Sequence, residues 1–170
     1  MSDGPDARAE RIVAALTARH VTLAVAESLT GGLLTAAFVA VPGASVVLRG
    51  GVVAYDTRIK HSVLGVDAEV LAAHGPVHPD VARQMAVGVR TALALDGVEP
   101  EIGISTTGVA GPDAQDGHPP GTAFVGVAVG GSVRSFALQL DGDRNTVRAA
   151  VVREALGFLE ESLSSTGAGM

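Results

Sequence analysis

VTLAVAESLTGGLLTAAFVA, residues 21–40, is the stretch that decides the fold. Val21 to Ala26 is an apolar run of strand length. Glu27 to Gly32 turns polar and carries two glycines, and Leu33 to Val39 is rich in Ala and Leu, as a helix would be. A strand apolar at nearly every position is buried on both faces, which calls for a sheet covered by helices on each side. Upstream, residues 6–19 place Ile12, Val13, Ala15 and Leu16 at helical spacing. Downstream, Pro42-Gly43 breaks the helix, and Val46 to Tyr55 predicts a second strand. Ile59 to Leu64 predicts a short helix ended near Gly65. Pro79 fits the first turn of a long helix running to about Leu95. Ile102 to Thr106 predicts a third strand, and Gly108 to Gly121, with its prolines and glycines, a loop. Thr122–Val129 and Val133–Leu140 form a hairpin about Gly130-Gly131. Asp143 caps a last helix from Arg144 to Leu163, and Ser164 to Met170 is expected to be a disordered tail. The expectation is one α/β domain over residues 1–163, with a mixed, mostly parallel sheet of about five strands. Ligands of such sheets sit beyond the strand carboxyl ends. Three segments qualify: 27–32, 55–60 and 107–112.

Bulk properties narrow the function. The 170 residues suit one domain, and 47% hydrophobic content with only 3% aromatic means a core of Ala, Val and Leu. With no cysteine, disulfides, thiolate catalysis and cysteine-held metals are excluded. A net charge of −6 speaks against a nucleic-acid partner gripped by a broad basic surface, but not against an anionic small molecule in a local pocket. The opening MSDGPDARAE is polar and acidic, unlike a secretory signal. No apolar run approaches the roughly 20 residues that span a bilayer, so no membrane association and a cytoplasmic location are expected.

In segment 27–32, Ser28 stands at a strand-to-helix turn. There its hydroxyl can face the top of the sheet, and the amides of Thr30, Gly31 and Gly32 can stabilise an oxyanion. The plainer alternative is that Ser28 or Thr30 is a helix cap. In segment 55–60, Lys60 can serve as a base toward a serine if burial lowers its pKa. A surface lysine is the ordinary alternative. Yet Lys60 is the only lysine beside 11 arginines, and lysine, unlike arginine, can lose its proton. Lys60 follows Ser28 by 32 positions, so their meeting depends on the fold. Thr107, Gly108 and Gly111 lie in a turn that can cradle phosphate or ribose, or be simply a tight turn. Arg144 can reach an anionic group or depress a lysine pKa, or be a solvated first-turn arginine. The histidines offer no metal site, because Gly75-Pro76 keeps His74 and His78 off one helical face.

Together AESLTGG (26–32), VPGASVVLRGGVVAYDTRIKHSVLGV (41–66), STTGVAGP (105–112) and LDGDRNTVRAAVVREAL (140–156) resemble the CinA C-terminal domain family, the nicotinamide-nucleotide amidohydrolases, in its stand-alone form. The resemblance runs from about residue 8 to 160. It implies a three-layer α/β/α sandwich, often dimeric, that hydrolyses the carboxamide of nicotinamide mononucleotide to nicotinic acid mononucleotide and ammonia without a cofactor. It also implies Ser28 as nucleophile, Lys60 as base, Tyr55 in the active site, and Thr107 and Arg144 at the substrate. Leu29 departs from the family's usual cysteine, which bears on pocket packing. For Lys60 to act as a base, desolvation and a nearby cation such as Arg144 must lower its pKa by about two to three units. The rival readings are a catalytically silent member that binds a nucleotide or a protein, and a nucleic-acid-associated factor, which the acidic balance disfavours.

Overall fold

The computed structural model describes residues 5–166. In chain order the elements are α1 (Pro5–Arg19), β1 (Leu23–Glu27), α2 (Leu33–Val39), β2 (Leu48–Val53), α3 (Thr57–Ser62), α4 (Ala68–His74), α5 (Pro79–Ala92), β3 (Ile102–Gly108), β4 (Thr122–Val129), β5 (Ser132–Gln139) and α6 (Arg144–Thr166). The strands form one sheet in the order β2-β1-β3-β4-β5. β1 pairs in parallel with both β2 and β3, whereas β3–β4 and β4–β5 are antiparallel. Only β4 runs against the common direction. The mixed α/β architecture is therefore the expected one. Two details differ. Helix α4 was not foreseen: it is only seven residues long, and none of its side chains is buried. Helix α6 continues three residues past Leu163, with Ser164 and Ser165 bonded back to the carbonyls of Glu160 and Glu161. The rest of the expected tail, 167–170, lies outside the described residues.

Strand alternation sorts the core into two layers. Leu23 and Val25 of β1, Ile102 and Ile104 of β3, and Val125 and Val127 of β4 face α1, α2 and α6. On α6, Val147, Val151, Ala155 and Leu159 recur every fourth residue and fill that layer. The opposite face is built from small residues: Ala24, Ala26, Gly103, Ser105 and Gly126. Against it lies α5, with Val81, Met85 and Val89 buried. Ser105 Oγ donates to the Ala82 carbonyl at 2.6 Å, a direct tie from strand to helix backbone. A β-carbon at Gly103 would collide with the Ala86 carbonyl oxygen, and one at Gly126 with that of Ala82. The helix can lie this close only because the strands present hydrogen there. No helix among the described residues is long and apolar enough to cross a membrane.

Gly103→Ala is expected to push α5 off the sheet and lower stability by about 1–3 kcal/mol, in the range of other overpacked cores. Urea unfolding of the variant beside wild type checks it.

Candidate active site

The site forms where β1 ends. Ser28 follows Glu27 directly, and both neighbouring strands grip this point: Ser28 N–H donates to Thr106 O at 3.0 Å, and Ala54 N–H to Glu27 O at 2.8 Å. Glu27 is fully buried. Its carboxylate accepts from Gly32 N–H at 3.1 Å, Leu34 N–H at 2.9 Å, Thr35 N–H at 2.8 Å and Thr35 Oγ1 at 2.6 Å. It thereby supplies the acceptors that the first turn of α2 lacks, since no side chain of residue 32 can cap the helix. Strand end and helix start are pinned together, and the turn between them carries Ser28.

Lys60 comes from α3, a helix begun by Asp56, whose Oδ1 accepts from Arg58 N–H at 2.8 Å. Its side chain is 1% exposed and that of Ser28 8%. Lys60 Nζ lies 2.9 Å from Ser28 Oγ and donates to the Ala54 carbonyl at 2.7 Å. Burial pulls the lysine pKa from 10.5 down to about 8, against a weaker upward pull from Asp56. A useful fraction is thus neutral near neutral pH. In that form the Ser28 hydroxyl donates to the Nζ lone pair, the arrangement a general base requires. The expected cation is not what lowers the pKa. Desolvation does so, and Arg144 is engaged elsewhere.

Arg144, at the start of α6, donates through Nη1 to Gly111 O at 2.8 Å and through Nη2 to the Tyr55 hydroxyl at 2.9 Å. It ties the strap after β3 to the strand end after β2 and closes one wall of a cavity of about 300 Å³. Ser28, Lys60, Tyr55, Thr107, Gly108, Gly111 and Arg144 all line that cavity. Thr107 spends its hydroxyl hydrogen on Pro76 O at 2.7 Å, so toward a ligand it can only accept. Leu29 also lines the wall.

Of the amides expected to hold an oxyanion, those of Gly31 and Gly32 need correction. Gly31 N–H donates to Ser28 O at 3.1 Å and Gly32 N–H to Glu27. Both are already engaged, and neither residue reaches the cavity wall. Thr30 is fully buried, its hydroxyl 2.7 Å from that of Thr106. The sequence reading missed Glu27, Thr57 on the cavity wall, and Arg148. The signal for Glu27 was a lone charge closing an apolar run. For Arg148 it was a second arginine four residues after Arg144, on the same helical face. His74 ends α4 and His78 precedes α5. Their rings stack at 4.2 Å, and no group of three or more metal-ligating side chains gathers among the described residues.

Comparison with known proteins gives a consistent picture. The family model described as "CinA C-terminal domain" matches residues 6–163. A CinA-like protein of Frankia casuarinae is 43% identical over 153 residues, covering 90% of this chain and 34% of that protein. A CinA-like protein of Gemmatimonas aurantiaca is 42% identical over 163 residues, 95% of this chain and 37% of its own length. The chain thus spans about a third of these relatives. Among solved structures, a competence-damaged protein (CinA) superfamily protein from Klebsiella pneumoniae superposes with a TM-score of 0.89 at 33% identity, covering 96% of this chain and 99% of that one. The competence damage-inducible protein A from K. pneumoniae subsp. pneumoniae gives 0.87 at 36% identity, over 95% and 98%.

The lowered lysine pKa has a thermodynamic consequence. The folded chain gives up the Lys60 proton more readily than the unfolded chain. Its contribution to stability is therefore full above about 10.5 and is lost as pH falls through about 8. The whole effect is worth roughly 3 kcal/mol. Urea unfolding of wild type and Lys60→Met should show stability rising more steeply with pH in wild type across that window. Parallel curves would mean the lysine is unshifted.

Proposed function

The chain belongs to the CinA C-terminal domain family, and from that membership and the geometry of the site we propose that it hydrolyses the carboxamide of nicotinamide mononucleotide. The observation that carries the proposal is the buried pair: Lys60 Nζ at 2.9 Å from Ser28 Oγ, inside a cavity and shielded from solvent. Neutral Lys60 takes the Ser28 proton as Oγ bonds to the amide carbon. The carbonyl electrons move onto oxygen, giving a tetrahedral oxyanion. When the C–N bond breaks, Lys60 returns the proton to nitrogen and ammonia leaves. The Tyr55 hydroxyl, which accepts from Arg144 and keeps its own hydrogen, is a second proton source at this point. Water then attacks the Ser28 ester with Lys60 again as base, releasing the nicotinic acid nucleotide and restoring the serine. Arg144 and the strap of Thr107, Gly108 and Gly111 supply cationic and main-chain groups suited to the ribose phosphate. No step calls for a metal or a cofactor.

Purified protein should release ammonia from nicotinamide mononucleotide faster than from free nicotinamide or glutamine, and treatment with a chelator should not change the rate. Ser28→Ala should fold normally and lose turnover by about a thousandfold or more. Near-normal release by a folded Ser28→Ala would remove the serine from the mechanism.

Lys60→Arg keeps the charge and cannot be a neutral base. It should lose turnover about as severely as Ser28→Ala, while wild-type kcat/KM climbs with pH to a plateau above about 8. An active Lys60→Arg enzyme would leave the base unidentified.

A further inference from the structure

Arg148 lies one helical turn beyond Arg144 on α6 and has no part in the scheme above. Its guanidinium nevertheless reaches the turn that carries the nucleophile. Nε donates to Leu29 O at 2.9 Å, Nη2 to Thr30 O at 3.1 Å, and Nη1 to Asn145 Oδ1 at 3.5 Å. Two successive main-chain carbonyls therefore converge on one planar cation, a geometry for which the fork of arginine is better pre-organised than an ammonium. A trans peptide sets its N–H opposite its C=O. The amides belonging to those two carbonyls, Thr30 N–H and Gly31 N–H, must both point away from Arg148. Gly31 N–H reaches the Ser28 main-chain carbonyl at 3.1 Å, so the face of the turn away from Arg148 is the one toward the Ser28 main chain. Thr30 N–H is sent to that same side. Thr30 is fully buried, and its N–H meets no acceptor among the described residues. Buried main-chain donors left without acceptors are rare, and one beside a nucleophile calls for a reason. The cation also fits closely over the turn, since a β-carbon at Gly31 would stand 3.4 Å from Nη2.

We propose that Arg148 is a positioning residue: by fixing the carbonyls of Leu29 and Thr30, it aims the Thr30 N–H at the oxyanion formed when Ser28 Oγ bonds to a substrate carbonyl. This rests on the reading of Ser28 as an acyl-transfer nucleophile. The oxyanion is bonded to the same carbon as Oγ, so a donor directed to the Ser28 side of the turn is directed to it. Arg148 itself touches neither substrate nor Ser28. It sets the direction of a dipole in advance of the reaction, the condition under which such donors stabilise a transition state.

The test compares wild type, Arg148→Met and Arg148→Lys in two assays. One is turnover of nicotinamide mononucleotide across pH. The other is acetylation by p-nitrophenyl acetate, followed by nitrophenol release and located at Ser28 by peptide mass spectrometry. Arg148→Met should slow both Ser28 acetylation and kcat by about tenfold to a hundredfold. KM and the midpoint of the pH profile should stay in place, and Arg148→Lys should recover only part of the rate. Should Arg148→Met not fold, Arg148→Lys carries the comparison. Wild-type rates of acetylation in the folded variant would overturn the proposal, as would a loss accompanied by a moved pH midpoint, which would put the effect on Lys60. A wild type acetylated at Ser28 but idle on the nucleotide would sink the substrate assignment alone and leave the acetylation rates to judge Arg148. A wild type never acetylated at Ser28 would overturn both.

Discussion

A carboxylate without access to water holds this molecule's functional end in shape. Burying a charge is costly unless polar partners replace its hydration. Glu27 is fully buried and finds those partners in the main chain and the threonine hydroxyl at the start of α2. The dependence is mutual. The helix start lacks acceptors of its own, and the carboxylate lacks solvent, so each makes the other tolerable. Because the carboxylate is one residue from Ser28, the same bonds leave the intervening turn a single route. Removing the charge would free the helix end and the nucleophile together.

That turn lies where the sheet reverses its order of construction. The chain lays β2 on one side of β1, then crosses to lay β3 on the other. The end of β1 is the switch point at which open α/β sheets take their ligands. The topology brings Lys60 in from the β2 side and the Thr107–Gly111 strap from the β3 side, and Arg144 bridges the two. Electrostatics follow from the same placement. A lysine near the rim would stay charged, but one sealed beneath the serine has its ammonium form penalised by lost hydration.

Much of this was legible in the sequence because the signals were local. Apolar runs of strand length, glycine-bearing turns and a proline at a helix start each report on a few neighbouring residues, and the mixed sheet follows from their order. What lay beyond reach was either weakly patterned or long-range. Helix α4 spans seven residues and turns only Val70 and Leu71 partly into the core, too little to impose a period. The roles of Gly31 and Gly32 were misjudged because a glycine-rich turn looks open until one knows where its amides point. Here Glu27 and the Ser28 carbonyl claim them. The depressed lysine pKa was expected from desolvation together with a cation such as Arg144; burial supplies it and Arg144 does not, a division only packing can make. Arg148 showed only its helical spacing from Arg144, because its partners are two carbonyls more than a hundred residues away.

The chain's single lysine gives the folded protein an unusual chemical surface. Every other basic side chain is arginine or histidine, so the only side-chain amine lies beneath the serine at 1% exposure. Succinimidyl esters, aldehydes, formaldehyde-type fixatives and acetyl donors find no side-chain amine to react with while this end of the sheet stays closed. Any label that does appear on Lys60 records how often the cavity floor opens. Amine chemistry thus becomes a clock for the breathing of the site, read from one side chain against the terminal amine alone.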